Sequence, residues 1–431
     1  MIGIVYLWGD IMNSFIVKGD FCFSKSKSEI ITKENAYLLV ENRMCKGFFD
    51  TLEKEIENYT LFDYTGHLIF PGMIDLHTHA PQYAFSGTGM DLQLLEWLDE
   101  CAFPEEAKYS DLSYAKKAYS IFCDTIKHSV TTRACVFATI HSDTTHLLMD
   151  MLDKTELYCY VGKVNMDRNS PSLLCEKSAE ISAEETENFI ENTSHKYKNI
   201  KPIITPRFIP TCSDELSFKL GEIAKKHSAP IQSHLCENKD EIEWVKELCK
   251  EAKNYADAYD RFSLLTDRTI MAHCVHLSAD EIKLLKERNT FVAHCPTSNS
   301  NLKSGIAKIR EYIEHGLNIG LGSDVAGGET LSLFSVIKEA IKMSKMYSYY
   351  VDNSKSPLTF SEAFYLATKG GGKFFSNVGS FEEGYEFDAV VLNFTPYAYD
   401  LSVKERMERA VYTNEDLKGI CAKFVNGNKI V

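Results

Sequence analysis

Short β-branched runs alternate with amphipathic helical stretches through most of the chain, and this alternation restricts the fold more than any other feature. After the Pro71-Gly72 break the runs cover 73–79, 130–139, 158–166, 200–208, 230–237, 269–276, 290–298 and 318–324. Between them, 111–128, 214–227, 278–288, 302–314 and 331–343 carry helical periodicity, and Ser278 with Glu281 reads as a capping box. Strands that alternate with helices in this number predict an α/β architecture, a (β/α)8 TIM-like barrel. Outside it, 14–23, 36–41, 61–64, 68–70, 389–392, 411–412 and 423–427 read as further strands. Neither end can close a core alone, so the two ends are expected to combine into one small β-sandwich. The expected organisation is residues 1–70 and 385–431 in the sandwich and 71–384 in the barrel.

In a barrel of this kind, chemistry sits at the C-terminal ends of the strands. The first strand ends in His77 and His79, and the two-residue period of a strand turns both imidazoles to one face. The fourth ends in Pro206-Arg207-Phe208, and the fifth carries His234 with Glu237 three residues on. His273 falls on the sixth and Asp324 ends the eighth. Any one of these could be structural. Four imidazoles and a carboxylate around a common axis make a nitrogen-rich site suited to one zinc ion, with Fe(II) the alternative.

Composition narrows the partners. A net charge of −14 over 431 residues argues against a nucleic-acid surface or an anionic membrane and leaves a small neutral substrate open. The 13 cysteines include no CxxC pair, which suits reduced, mostly buried thiols and a cytoplasmic location. No apolar run is long enough to span a bilayer. The apolar start, Met1 to Trp8, has no basic region before it and meets Asp10 at once, so it does not read as a signal peptide; Met12 is a second candidate start.

His-x-His after the first strand, with His, His and Asp on the fifth, sixth and eighth, resembles the amidohydrolase superfamily. Longer strings resemble its guanine-deaminating branch: His79-Ala80-Pro81-Gln82-Tyr83, Leu94-Leu95-Glu96-Trp97-Leu98, Val161-Gly162-Lys163-Val164, Thr205-Pro206-Arg207-Phe208, Ser233-His234-Leu235-Cys236-Glu237 and the segment from Leu321 to Gly328. The resemblance covers roughly Phe70 to Asn393. It implies hydrolytic deamination of guanine to xanthine and ammonia, one metal ion per chain and a homodimer. The metal would be held by His77, His79, His234, His273 and Asp324. Glu237 would carry protons and Asp324 would accept one from the attacking water. The planar fork of Arg207 can donate to O6 and N7 of guanine together, an edge where adenine offers an amine. Gln82 can donate and accept near the pyrimidine side. Phe208 and Trp97 could stack on the ring, with core packing an equal reading for Trp97. The Gly370-Gly371-Gly372-Lys373 run departs from the family pattern.

Two other readings bear on function. A binuclear amidohydrolase acting on a related heterocycle needs a bridging lysine ending the fourth strand; Lys163 lies on the third, and the fourth ends in Arg207. A non-catalytic scaffold should lack ligands, and this chain has a full set. His276 and His294 read as loop or supporting residues, and His67, His128, His141, His146, His195, His227 and His315 as surface or capping residues. Cys236 and Cys274 read as buried packing. Gly372-Lys373 lacks the remainder of a P-loop, and the cytidine-deaminase zinc signature is absent.

Overall fold

The computed structural model describes residues 14–51, 59–393, 399–414, 416 and 419–431; the readings for Met1–Trp8 and Met12 lie outside them. An eight-stranded parallel sheet runs through Met73–His79, Thr131–Phe137, Tyr158–Gly162, Ile200–Pro202, Ile231–Leu235, Thr269–His273, Phe291–His294 and Asn318–Leu321. A parallel bridge between Ile204 and Ile231 joins its two edges, with Ile204 N–H donating to Pro230 and Gln232 N–H to Ile204, both at 2.9 Å. That closure fits a TIM-like barrel. All seven residues of the first and second strands are buried, as expected for strands covered on both faces.

The strands are shorter than their apolar runs. The third breaks at Lys163, after which Val164–Asn165 pairs with Thr205–Pro206 in a small separate ladder. Gly162 permits this crossing, since a Cβ there would stand 1.7 Å from Thr205 Oγ1. The seventh ends at His294, because Pro296 opens the helix Pro296–Asn301. Of the helix expected over 302–314 only Ile309–Glu314 forms; Lys303 and Gly305 take positive φ of 56° and 120° and break it. Helix Asp214–His227 and the Ser278–Glu281 capping box occur as read.

Strands from both chain ends pair in one seven-stranded sheet, with Ala389–Leu392 antiparallel to Leu68–Pro71. The expected strand at 411–412 is instead the end of helix Val403–Thr413. A β-branched and an aromatic residue there were outweighed by the Ser402–Glu405 capping box and by Val403, Met407, Ala410 and Val411 facing the core together.

Arg133 on the second barrel strand joins sheet to barrel. It is fully buried and forks onto Asp388 through Nε at 2.7 Å and Nη2 at 3.1 Å. Two of the three glycines at 370–372 are explained by close approach: a Cβ on Gly370 would meet the Ile319 carbonyl at 2.8 Å, and one on Gly372 the Val378 carbonyl at 2.2 Å.

Candidate active site

His77, His79, His234, His273 and Asp324 converge at the C-terminal mouth of the barrel. His77 Nε2 lies 3.1 Å and His79 Nε2 3.4 Å from Asp324 Oδ1. The Nε2 atom of His79 is 3.2 Å from that of His77 and 3.3 Å from that of His234. His273 Nε2 stands 3.6 Å from Asp324 Oδ2. Two neighbours choose the tautomers: His234 Nδ1 donates to the Arg207 carbonyl at 2.6 Å, and His273 Nδ1 to Asn299 Oδ1 at 3.0 Å. Each therefore turns the lone pair of Nε2 inward.

Lone pairs and a carboxylate brought this close repel one another unless a cation lies among them, and the donor set of imidazole nitrogens with one carboxylate suits a divalent transition ion. Burial lowers the pKa of His77 and His234, and takes His79 down to about 4. His77, His79 and His234 are thus neutral near pH 7, the form that binds metal.

The chain bends sharply to make this cluster. Cys236, His273, Cys274 and Asp324 all have positive φ, between 47° and 67°, at or just beyond the ends of the fifth, sixth and eighth strands. Non-glycine residues rarely adopt this conformation, and such strain gathers at functional sites. Asp75 holds the first strand to the eighth: it accepts from His77 N–H at 3.2 Å, Ser323 N–H at 2.9 Å and Ser323 Oγ at 2.5 Å. Asp324 N–H donates to the His77 carbonyl at 2.8 Å. Asp75 was not among the residues singled out from the sequence; a carboxylate flanked by Met73, Ile74 and Leu76 in the lead-in to His77 was the available signal.

Glu237 is buried beside this cluster, with Oε2 3.4 Å from His273 Nε2 and Oε1 accepting from Ser304 Oγ at 3.4 Å. Burial, then the Asp324 charge, push its carboxyl well above the usual range. Burial also opposes ionisation of Asp324, yet the imidazoles of His77 and His273 hold that carboxyl well below it. Two neighbouring carboxyls with opposed tendencies are what acid and base steps need.

Gln82, Trp97, Arg207, Phe208, His234, Glu237 and Asp324 line one pocket at the barrel mouth. Trp97 is buried and packs against Phe85 at 5.5 Å between ring centroids, so it belongs to both wall and core. Arg207 is 3% exposed, and its Nη1 donates to Glu106 Oε2 at 2.5 Å. Gln82 Nε2 donates to Glu106 Oε1 at 2.9 Å, while its Oε1 accepts from Ala326 N–H at 3.3 Å. Glu106, in the short helix Phe103–Ala107, was missed in the sequence, where Glu105-Glu106 looks like a solvated helical surface.

The remaining candidates stand apart. Lys163 pairs with Glu176 away from the cluster. His276 hydrogen-bonds the Ser304 carbonyl at 2.7 Å and braces a loop. His294 is buried beside His273, with neither ring nitrogen partnered among the described residues. His128, His146 and His315 each bond the carbonyl four residues back. Burial raises the thiols of Cys236 and Cys274 well above the usual value, which suits packing.

Comparison with known proteins agrees with this geometry. The family model described as "Amidohydrolase family" matches residues 68–427. The chain is 40% identical over 386 residues to the guanine deaminase of Dictyostelium discoideum, covering 87% of this chain and 85% of that protein. It is 44% identical over 378 residues to the human guanine deaminase, covering 84% and 82%. The crystal structure of guanine deaminase from C. acetobutylicum with bound guanine in the active site superposes with a TM-score of 0.94 at 44% identity, over 97% of this chain and 100% of that one.

Proposed function

The chain belongs to the amidohydrolase family, and from that premise we propose that it hydrolyses guanine to xanthine and ammonia, a step of purine catabolism. The observation that carries this reading is one pocket holding the histidine–aspartate cluster, Glu237, and the base-reading pair Gln82 and Arg207 together. It is supported by relatives named as guanine deaminases that align over most of both chains.

A single divalent ion, zinc or alternatively Fe(II), would be held by His77, His79, His234, His273 and Asp324, and would supply an acidified water and a Lewis acid. Asp324 accepts a proton from the attacking water. Glu237 delivers its proton to the ring nitrogen beside C2, takes up the hydroxyl proton as the C2 carbonyl forms and passes that one to the departing amine, which leaves as neutral ammonia; the proton held by Asp324 returns to Glu237 to close the cycle. The Arg207 guanidinium donates to O6 and N7, and Gln82 meets the pyrimidine edge. Phe208 and Trp97 wall the ring plane.

The described sheet residues from the two ends fold over an aromatic cluster that includes Phe15, Phe21, Phe387 and Phe424, which supports a small sandwich made of 1–70 and 385–431 around a barrel of 71–384. Among the described residues no helix is long and apolar enough to cross a membrane. Thirteen free thiols suit the cytoplasm. Exposed Tyr349, Tyr350 and Val351 at the end of helix Leu333–Tyr350 offer apolar surface consistent with a homodimer.

Metal analysis joined to ammonia release from guanine, adenine, cytosine and their nucleosides tests the reading. Guanine should be turned over fastest by protein carrying one metal per chain. Metal-loaded protein that turns over another base in preference to guanine would overturn it.

A further inference from the structure

Gln82 and Arg207 come from different barrel loops, yet they share one counterion behind the pocket wall. Glu106 is fully buried and does not line the pocket. Its Oε2 accepts from Arg207 Nη1 at 2.5 Å and its Oε1 from Gln82 Nε2 at 2.9 Å. Arg207 also lies over the Phe103 ring, 5.0 Å from its centroid, in the helix that carries Glu106.

The hydrogen bonds form a chain with only one consistent direction. The Ala326 backbone N–H is a fixed donor, so Gln82 must turn Oε1 toward it and Nε2 toward Glu106. Arg207 carries no acceptor. Position 106 therefore faces donors on both sides and must accept twice. A carboxylate does so; an amide offers one acceptor and one donor. With an amide there, either the guanidinium meets an N–H, or Gln82 flips and sets its own N–H against that of Ala326. Both outcomes leave a buried donor unpaired.

We propose that Glu106 is a positioning residue that sets base specificity, an inference resting on the guanine reading of the same pocket. It consumes one Arg207 nitrogen and leaves the others in a fixed plane for two acceptors on the base. It also fixes Gln82 with one Nε2 hydrogen and one Oε1 lone pair free toward the ligand. Guanine, which presents acceptors at O6 and N7, matches this arrangement; a purine with an amine at position 6 does not.

The test compares guanine with 2,6-diaminopurine, which carries the same reacting amine at C2 but a second amine at position 6. Glu106→Gln should keep its metal and lower kcat/KM on guanine roughly 10- to 100-fold, the scale of one bidentate base contact. The guanine to 2,6-diaminopurine ratio should narrow by about tenfold or more, because a loosened guanidinium and a reversible amide no longer reject the 6-amine. An equal loss on both bases would mark Glu106 as merely structural and overturn the proposal, as would parent-like kinetics. Should E106Q fail to fold, Glu106→Asp keeps the charge but is one methylene short of bridging both partners. Its ratio should also narrow, and a parent-like ratio would overturn the proposal. If the unaltered enzyme releases no ammonia from guanine, the substrate reading fails instead.

Discussion

His234 Nδ1 donates to the backbone carbonyl of Arg207 at 2.6 Å, so the residue proposed to read the base also fixes the tautomer of an imidazole in the histidine–aspartate cluster. The link runs through the Arg207 main chain, while its side chain turns to Glu106. On the proposed reading, base recognition and metal binding are joined at one residue and separable by side-chain substitution.

Metal binding should be strong and mononuclear. Removing it with a chelator should abolish ammonia release and lower the melting temperature, because an ion bound only by the folded state stabilises that state. Restoring zinc should recover both. The neutral imidazoles of His77, His79 and His234 already favour ligation, and Lys163 is held by Glu176. Two metals per chain in elemental analysis, bridged by a carboxylated lysine, would contradict the single-ion site.

Glu237→Gln should retain metal and fold yet lose about 10²- to 10⁴-fold in kcat, or roughly 2.7–5.5 kcal/mol of barrier. The amide keeps the shape of a side chain buried between His273 and Ser304 but cannot carry the proton. Single-turnover assays with metal content measured alongside decide the matter. Turnover near that of the parent would take Glu237 out of the reaction.

The barrel was legible because its strands are apolar on both faces and its helices carry caps. Ser278 and Glu281 announced a helix that forms as read. The cluster was legible because ligand chemistry allows few residue types, and strand ends restrict where they sit. What stayed hidden depended on distant pairing. Glu106 looks like surface charge until Arg207, 101 residues on, reaches it. Asp75 takes two of its hydrogen bonds from Ser323, 248 residues later. The strand expected at 411–412 failed for a related reason: local β propensity was overridden by a cap and an apolar helical face.

Arg133→Met should destabilise the protein by about 3–5 kcal/mol, the usual cost of stripping one partner from a buried pair. Asp388 would stay buried and lose both guanidinium hydrogen bonds, keeping the Asn426 N–H at 2.7 Å. Arg133 lies outside the pocket lining, so kcat/KM at 25 °C should match the parent. Urea unfolding of both proteins gives the difference. A loss below 1 kcal/mol would mean that this pair does not fasten the terminal sheet to the barrel.

Arg207→Lys tests the substrate rather than the family. Lysine supplies a point charge and cannot reproduce a planar fork shared between Glu106 and the base. The loss of a bidentate base contact is worth about 1–3 kcal/mol, so guanine efficiency should fall by roughly one to two orders of magnitude. Preference for guanine over 2,6-diaminopurine should narrow, because the paired donors that reject the amine at position 6 are gone. Metal content should not change, since His234 donates its hydrogen bond to the main-chain carbonyl of residue 207. The measurement is kcat/KM for both bases in both proteins, with metal quantified in the same preparations. A lysine variant that treats guanine as the parent does would show that Arg207 does not read the purine, and the specificity would have to be sought elsewhere in the pocket.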